Sequence, residues 1–198
     1  NDEAESELRY LANIPNHIIS PGYNKPIIGI YQDSCIGSYL FTRKNINFTK
    51  KQAMNLLMKT NLFDSLKLFN TNKPLYSSFE IISEIIPEIT LKYKTTLYKD
   101  TEKYETSNNV LEIKNGNMLR GQFEKGSLCG SSKGLIHRIK NDYDAIKCQD
   151  FIDNLQGVIT EYMKTTGFGV GISDLIADDN TNIEINETIV NKKKEVSN

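Results

Sequence analysis

Pro21 and Pro26 leave the backbone of residues 20–42 few conformations to choose from. Pro21-Gly22 is a turn pair, and Pro26 fixes φ just ahead of an apolar run, Ile27, Ile28 and Ile30. That run is too short for an independent helix and rich in β-branched residues, which predicts a buried strand. Polarity flips at Gln32-Asp33. Asp33 or Ser34 is placed to cap a helix over residues 34–41, whose apolar face would be Ile36, Tyr39 and Leu40. The expected course is turn, strand, sharp corner and short helix, with Gln32 and Asp33 held at the corner.

Elsewhere the chain switches between helical and two-residue periods. Ala4, Leu8, Leu11 and Ala12 share one face of a short helix over residues 2–12, with acids in its first turn. Thr49-Lys-Lys-Gln52 and Ser77-Ser-Phe-Glu80 both have capping-box spacing. The first opens a helix carrying Ala53, Met54, Leu56, Leu57 and Met58. The second opens one with Phe79, Ile82, Ile85 and Ile86 inward, stopped by Pro87. A loop containing Asn70, Asn72 and Pro74 separates them.

From Ile89 to Leu97 apolar and polar residues alternate, as in a half-exposed strand. Asn115-Gly116 signals a hairpin between strands over residues 110–114 and 117–123. Residues 126–134 read as a loop rich in Gly and Ser. Phe151, Leu155, Val158, Ile159 and Tyr162 mark the longest helix, with Gly167 just past its end. Gly167 to Ile172 alternates Gly with larger residues and predicts a tight strand. A weakly amphipathic helix is expected over residues 181–196. Together these elements predict an α+β fold of mixed helices and short, mostly antiparallel strands.

The charge balance gives no overall argument for nucleic acid, since the net charge is only −1. Contact with phosphate would need a local patch, and Lys125, Lys133, Arg138 and Lys140, flanking the Gly/Ser loop, supply one. Hydrophobic content of 38% and charged content of 25% describe a soluble globular domain. Cys35, Cys129 and Cys148 are scattered and odd in number, which argues against a disulfide frame or a zinc site and for a reducing compartment. No apolar run is long enough to span a bilayer, and Asn-Asp-Glu opens no signal peptide. With no initiator Met and a start inside a helical pattern, the chain reads as a fragment.

Gly167-x-Gly169-x-Gly171 is not a dinucleotide fingerprint. Gly130-Ser-Ser-Lys133-Gly could cradle a phosphate but lacks P-loop order. Asp174, Asp178 and Asp179 have hard-cation chemistry without EF-hand spacing, and Asp178 or Asp179 is placed to cap the last helix. His17 and His137 have no nucleophile near them in sequence.

Ile18-Ile-Ser-Pro-Gly-Tyr-Asn-Lys-Pro-Ile-Ile-Gly-Ile-Tyr-Gln-Asp-Ser34 resembles a segment of the largest subunit of multisubunit DNA-dependent RNA polymerases. The type is that of eukaryotes and large DNA viruses, and the segment is the one that follows the catalytic aspartate loop. Gly130-Ser-Ser-Lys-Gly-Leu-Ile-His-Arg-Ile139 and Gly167-Phe-Gly-Val-Gly-Ile-Ser-Asp-Leu-Ile-Ala-Asp178 agree in order and spacing. Asn1-Asp-Glu-Ala-Glu-Ser-Glu-Leu8 is similar to the helix that leaves the catalytic loop. The resemblance departs where Gly126 follows Lys125 in place of a second lysine, and where Gly130-Ser-Ser-Lys-Gly carries one Gly fewer.

The resemblance implies a pore-like region over residues 1–178, lining the secondary channel, and the start of a funnel-type helix over residues 179–198. In that family the channel admits nucleoside triphosphates, holds backtracked RNA and receives the transcript-cleavage factor. RNA synthesis on the DNA template uses Mg²⁺ held by the motif Asn-Ala-Asp-Phe-Asp-Gly-Asp, expected upstream of Asn1. The chain would then supply no catalytic residue or metal ligand. Gln32 and Asp33 would support the catalytic loop, and Lys125, Lys133 and Arg138 would face phosphate in the channel. Other polymerase subunits would be partners and no membrane would be involved. The setting would be the nucleus, or a cytoplasmic viral factory or virion. An alternative from another class is a non-enzymatic α+β interaction module, or one piece of a split subunit.

Overall fold

The computed structural model describes residues 1–62, 67–70 and 73–197, so Asn72 of the expected loop lies outside the described residues. Helix α1 (Asp2–Tyr10) precedes a small hairpin of β1 (Ile19–Ser20) and β2 (Lys25–Pro26). Next come α2 (Gln32–Phe41), β3 (Asn47–Phe48) and α3 (Lys50–Leu57). Strand β4 (Tyr76–Ser77) pairs antiparallel with β3 and runs straight into α4 (Ser78–Ile85). A three-stranded antiparallel sheet follows in the order β5 (Leu91–Lys94), β6 (Val110–Lys114), β7 (Asn117–Arg120). The chain then forms α5 (Lys125–Leu128), α6 (Leu135–Asp142), α7 (Ala145–Thr166) and α8 (Asp179–Ser197). The fold is α+β, as expected. Two compact units divide after Thr166.

Within the first unit α7 is the axis of the core. It buries Cys148, Phe151, Leu155, Val158, Ile159 and Tyr162, and α2, α3, α4 and α6 pack around it. The α2–α7 crossing is close because Gly37 has no side chain: a Cβ there would stand 2.6 Å from Ile159 Cγ2. Tyr162 meets Phe41 edge-on at 5.0 Å, and Phe41 stacks on Phe48 at 5.4 Å. Asn154, the polar residue buried in α7, accepts a hydrogen bond from Asn61 N at 2.9 Å.

Local signals hold well. Both capping boxes form, with Gln52 N donating to Thr49 Oγ1 at 3.4 Å and Glu80 N to Ser77 Oγ at 3.2 Å. Asn115 and Gly116 take φ of +49° and +77°, the two left-handed residues of a type I′ hairpin turn. Gly167 takes φ +65° just past the end of α7.

Longer-range expectations are corrected in several places. The apolar run 27–30 is not a strand: β2 ends at Pro26, Ile27 N bonds to Ile18 O at 2.9 Å, and the chain then leaves the hairpin. Ile27 points to solvent while Ile30 is buried. Helix α2 buries Gly37, Ser38 and Phe41, leaving Ile36, Tyr39 and Leu40 half-buried. Small residues win the contact face because they admit α7 closely. Strand β5 stops at Lys94, and Leu97 is exposed. The Gly/Ser loop contains the short helix α5. Residues 167–171 form no strand, since alternate glycines offer no side-chain pairs to hold one. Helix α1 buries nothing: Leu8 and Leu11 are each 68% exposed, and a side-chain cap from Asn1 to Ala4 N holds its first turn.

Candidate functional site

Residues 29–31 pass against the end of α5. Ile30 N donates to Leu128 O at 3.0 Å, and the Cys129 thiol donates to Ile30 O at 2.7 Å. Gly29 is required by this approach, since a Cβ would stand 2.7 Å from Leu128 O and 3.2 Å from Cys129 Cα. Gly29→Ala should therefore cost about 2 kcal/mol through forced backbone separation, read as a lower urea midpoint of the chain. An unchanged midpoint would show that the two segments part freely.

The approach sets the polar corner beside the basic loop. Tyr31, Thr96, Lys125, Cys129 and Ser131 line an open pocket of about 500 Å³. At its rim Gln32 holds φ +50°, a left-handed conformation rare outside glycine. Helix α2 starts there with Tyr31 as its N-cap and no side-chain cap bond. Asp33 is thus not a cap. Ser34, the other cap candidate, instead accepts from Gln156 Nε2 of α7 at 2.6 Å. Gln32 and Asp33 are exposed, with no side-chain hydrogen bond among the described residues.

Beneath the pocket lies a carboxylate that periodicity did not single out. Glu124 is nine-tenths buried and accepts from Thr96 N at 2.8 Å and from Thr96 Oγ1. Its own N–H donates to Ser127 Oγ at 2.8 Å. Burial pushes the Tyr93 hydroxyl well above the usual phenol range, with the Glu124 charge adding to it. Burial also pushes the Cys129 thiol up to about 12, helped by the neighbouring Cys35 and opposed by Lys125. Both thiols are therefore protonated and poorly nucleophilic. The available sequence signal was the Glu124-x-x-Ser127 spacing next to Lys125.

The basic residues separate. Lys125 lines the pocket, and Lys133 is exposed at the far end of the same loop. Neither pairs with a carboxylate among the described residues. Arg138 sits on α6 with Nε 2.5 Å from Asp142 Oδ2, so its charge is largely balanced. The loop is no open phosphate cradle: the N–H groups of Ser131, Lys133 and Gly134 all bond within it. His17 Nε2 lies 2.7 Å from Leu11 O, and His137 is buried on α6.

The carboxylates of the second unit serve turns. Asp174 Oδ2 accepts from Gly171 N at 2.8 Å, and Asp178 Oδ1 accepts from Thr181 N at 3.2 Å, the expected cap of α8. Among the described residues no three His, Cys, Asp or Glu side chains gather to hold a metal. These residues do not fit Mg²⁺. No described helix is long and apolar enough to cross a membrane.

The corner and the loop lie within a stretch of sequence that matches a family of transcription proteins. The chain belongs to the family described as RNA polymerase Rpb1, domain 3, whose profile matches residues 17–175. It is similar to the DNA-directed RNA polymerase II subunits RPB1-A and RPB1-B of Trypanosoma brucei brucei, at 28% identity to each over 194 residues. Each match covers 97% of this chain, and the chain spans 11% of the relative's length.

Proposed function

We propose that this chain works as part of the largest subunit of a DNA-directed RNA polymerase inside the cell. Residues 1–178 serve as a pore-like region along the secondary channel, and residues 179–198 begin a funnel-type helix. What carries this is the match over residues 17–175, which takes in both the corner and the loop that Ile30 and Leu128 bond together. The complete enzyme would bring the other subunits, DNA, RNA, triphosphates, the transcript-cleavage factor and Mg²⁺. Gln32 and Asp33 then face the catalytic loop as positioning residues. Lys125 and Lys133 face the phosphates of triphosphates and backtracked RNA, and Arg138 joins them with a charge shared with Asp142.

The physical role of the lysines is to concentrate anions. Unpaired cations beside an anion path raise its local concentration through attraction screened beyond about 10 Å at ordinary salt. Reversing Lys125 and Lys133 to Glu in the complete enzyme should raise the apparent KM for triphosphates roughly three- to tenfold at low salt. The effect should fade at high salt and leave the maximal rate nearly untouched. Unchanged KM and unchanged factor-assisted cleavage at low salt would make the loop ordinary solvated surface.

A further inference from the structure

A second concavity opens at the other end of α2. The turn after that helix and the loop over residues 102–109 border an open pocket of about 550 Å³. Arg43, Lys44 and Lys103 line it, all exposed and none paired with a carboxylate among the described residues. Both walls are held in place. Buried Thr42 accepts from Phe123 N and donates to Ser38 O, each at 2.8 Å, which pins Arg43 beside Gln122. Opposite, the Glu102 carboxylate accepts from Ser107 Oγ and from Asn109 Nδ2 at 2.9 Å, and Arg120 Nη1 donates to Tyr104 O at 2.9 Å.

The acid that lines the pocket is therefore occupied with ordering its own loop. Those hydrogen bonds, Ser107 first and then Asn109, hold the Glu102 carboxyl below the usual range, so it stays ionised. Two positive charges remain in formal excess over one ordered pocket. Like charges gathered this way repel unless an anion sits among them.

We propose that this pocket binds phosphate-chain anions, either pyrophosphate or the polyphosphate tail of a nucleotide. A guanidinium fork takes two phosphate oxygens at once, and two ammonium groups add point charges around it. A monoanion would leave charge excess, whereas a phosphate chain balances it. Among the described residues no aromatic side chain lines the pocket to stack a base, so recognition stops at the phosphates.

Calorimetric titration of the full 198-residue chain at low salt tests this. Pyrophosphate and ATP should bind with Kd values within about threefold of each other, and adenosine should not bind. Arg43→Glu with Lys103→Glu should weaken pyrophosphate at least roughly tenfold. The equal charge change Lys50→Glu with Lys51→Glu on α3 should leave it within about twofold. If the double reversal unfolds the chain, the neutral Lys103→Gln alone should still weaken pyrophosphate roughly threefold. Absence of saturable pyrophosphate binding, equal loss in both double variants, or tight adenosine binding would each overturn the proposal.

Discussion

In the assembled polymerase, Gln32→Ala and Asp33→Ala should slow single-nucleotide addition by up to roughly a hundredfold, while the melting temperature moves by about 2 °C or less. The two readouts separate because of what the corner lacks. Neither side chain bonds to anything described in this chain, and α2 takes no cap from Asp33. Exposed side chains without partners change stability by only about 0.5 kcal/mol. A strong effect on rate must then come from what the corner faces in the complete enzyme, where misplacing a reacting group by about 1 Å suffices.

The backbone supports the same division. Gln32 at φ +50° costs on the order of 1 kcal/mol, and it is held there by Ile30 bonded to Leu128 on one side and Ser34 to Gln156 on the other. Gln32→Gly should be as stable as the parent chain and yet as slow as the alanine variant. A normal addition rate with a lowered melting temperature would reduce the corner to a structural element.

Gly121→Ala should cost about 3 kcal/mol or more. Gly121 follows β7 with φ +106°, and a Cβ would stand 2.5 Å from Leu111 Cα and 2.8 Å from Val110 O. Neither is the end of a flexible side chain, so backbone strain adds to a backbone clash. The damage would spread to α4, since Met118 N of β7 donates to Ser83 Oγ at 2.9 Å. Total stability of a domain is only about 5–15 kcal/mol, so much of the margin would go. Urea unfolding beside Gly22→Ala checks it, because a Cβ at Gly22 meets nothing closer than Ser20 Oγ at 3.8 Å. Equal midpoints for the two variants would refute the assignment.

The parts of the fold legible in advance were those written in neighbouring residues. Thr49 to Gln52, Ser77 to Glu80 and Asn115-Gly116 each act over a turn or less, and the stripe of α7 is a local period repeated within one element, so propensity and spacing decide. The misreadings needed a partner far along the chain. Hydrophobicity alone could not choose Gly37 and Ser38 as the buried face of α2, because their value is their smallness against α7. Amphipathicity in α1 marks a face suited to cover, without placing the cover in this chain. At the site, Gln32, Asp33 and Lys125 were each legible, but their adjacency depends on the Ile30–Leu128 bond. Glu124 and Thr96 were missed because a buried carboxylate is recognised by its partners, and those lie 28 residues away. Arg138 gave no hint of Asp142 beyond an i, i+4 spacing that many solvated helices share.

The Ser34–Gln156 bond also sets a schedule for synthesis. The two residues are 122 positions apart, and α7 is the element against which α2 closes the core. At about 5–20 residues per second, the ribosome delivers that partner roughly 6–25 s after Ser34 is made. Until then the chain can form its earlier helices, the β1–β2 and β3–β4 pairs and the β5–β6–β7 sheet, but α2 lacks the helix that closes over it. The corner at Gln32 is therefore among the last features of the first unit to take shape, set by residues translated well after it.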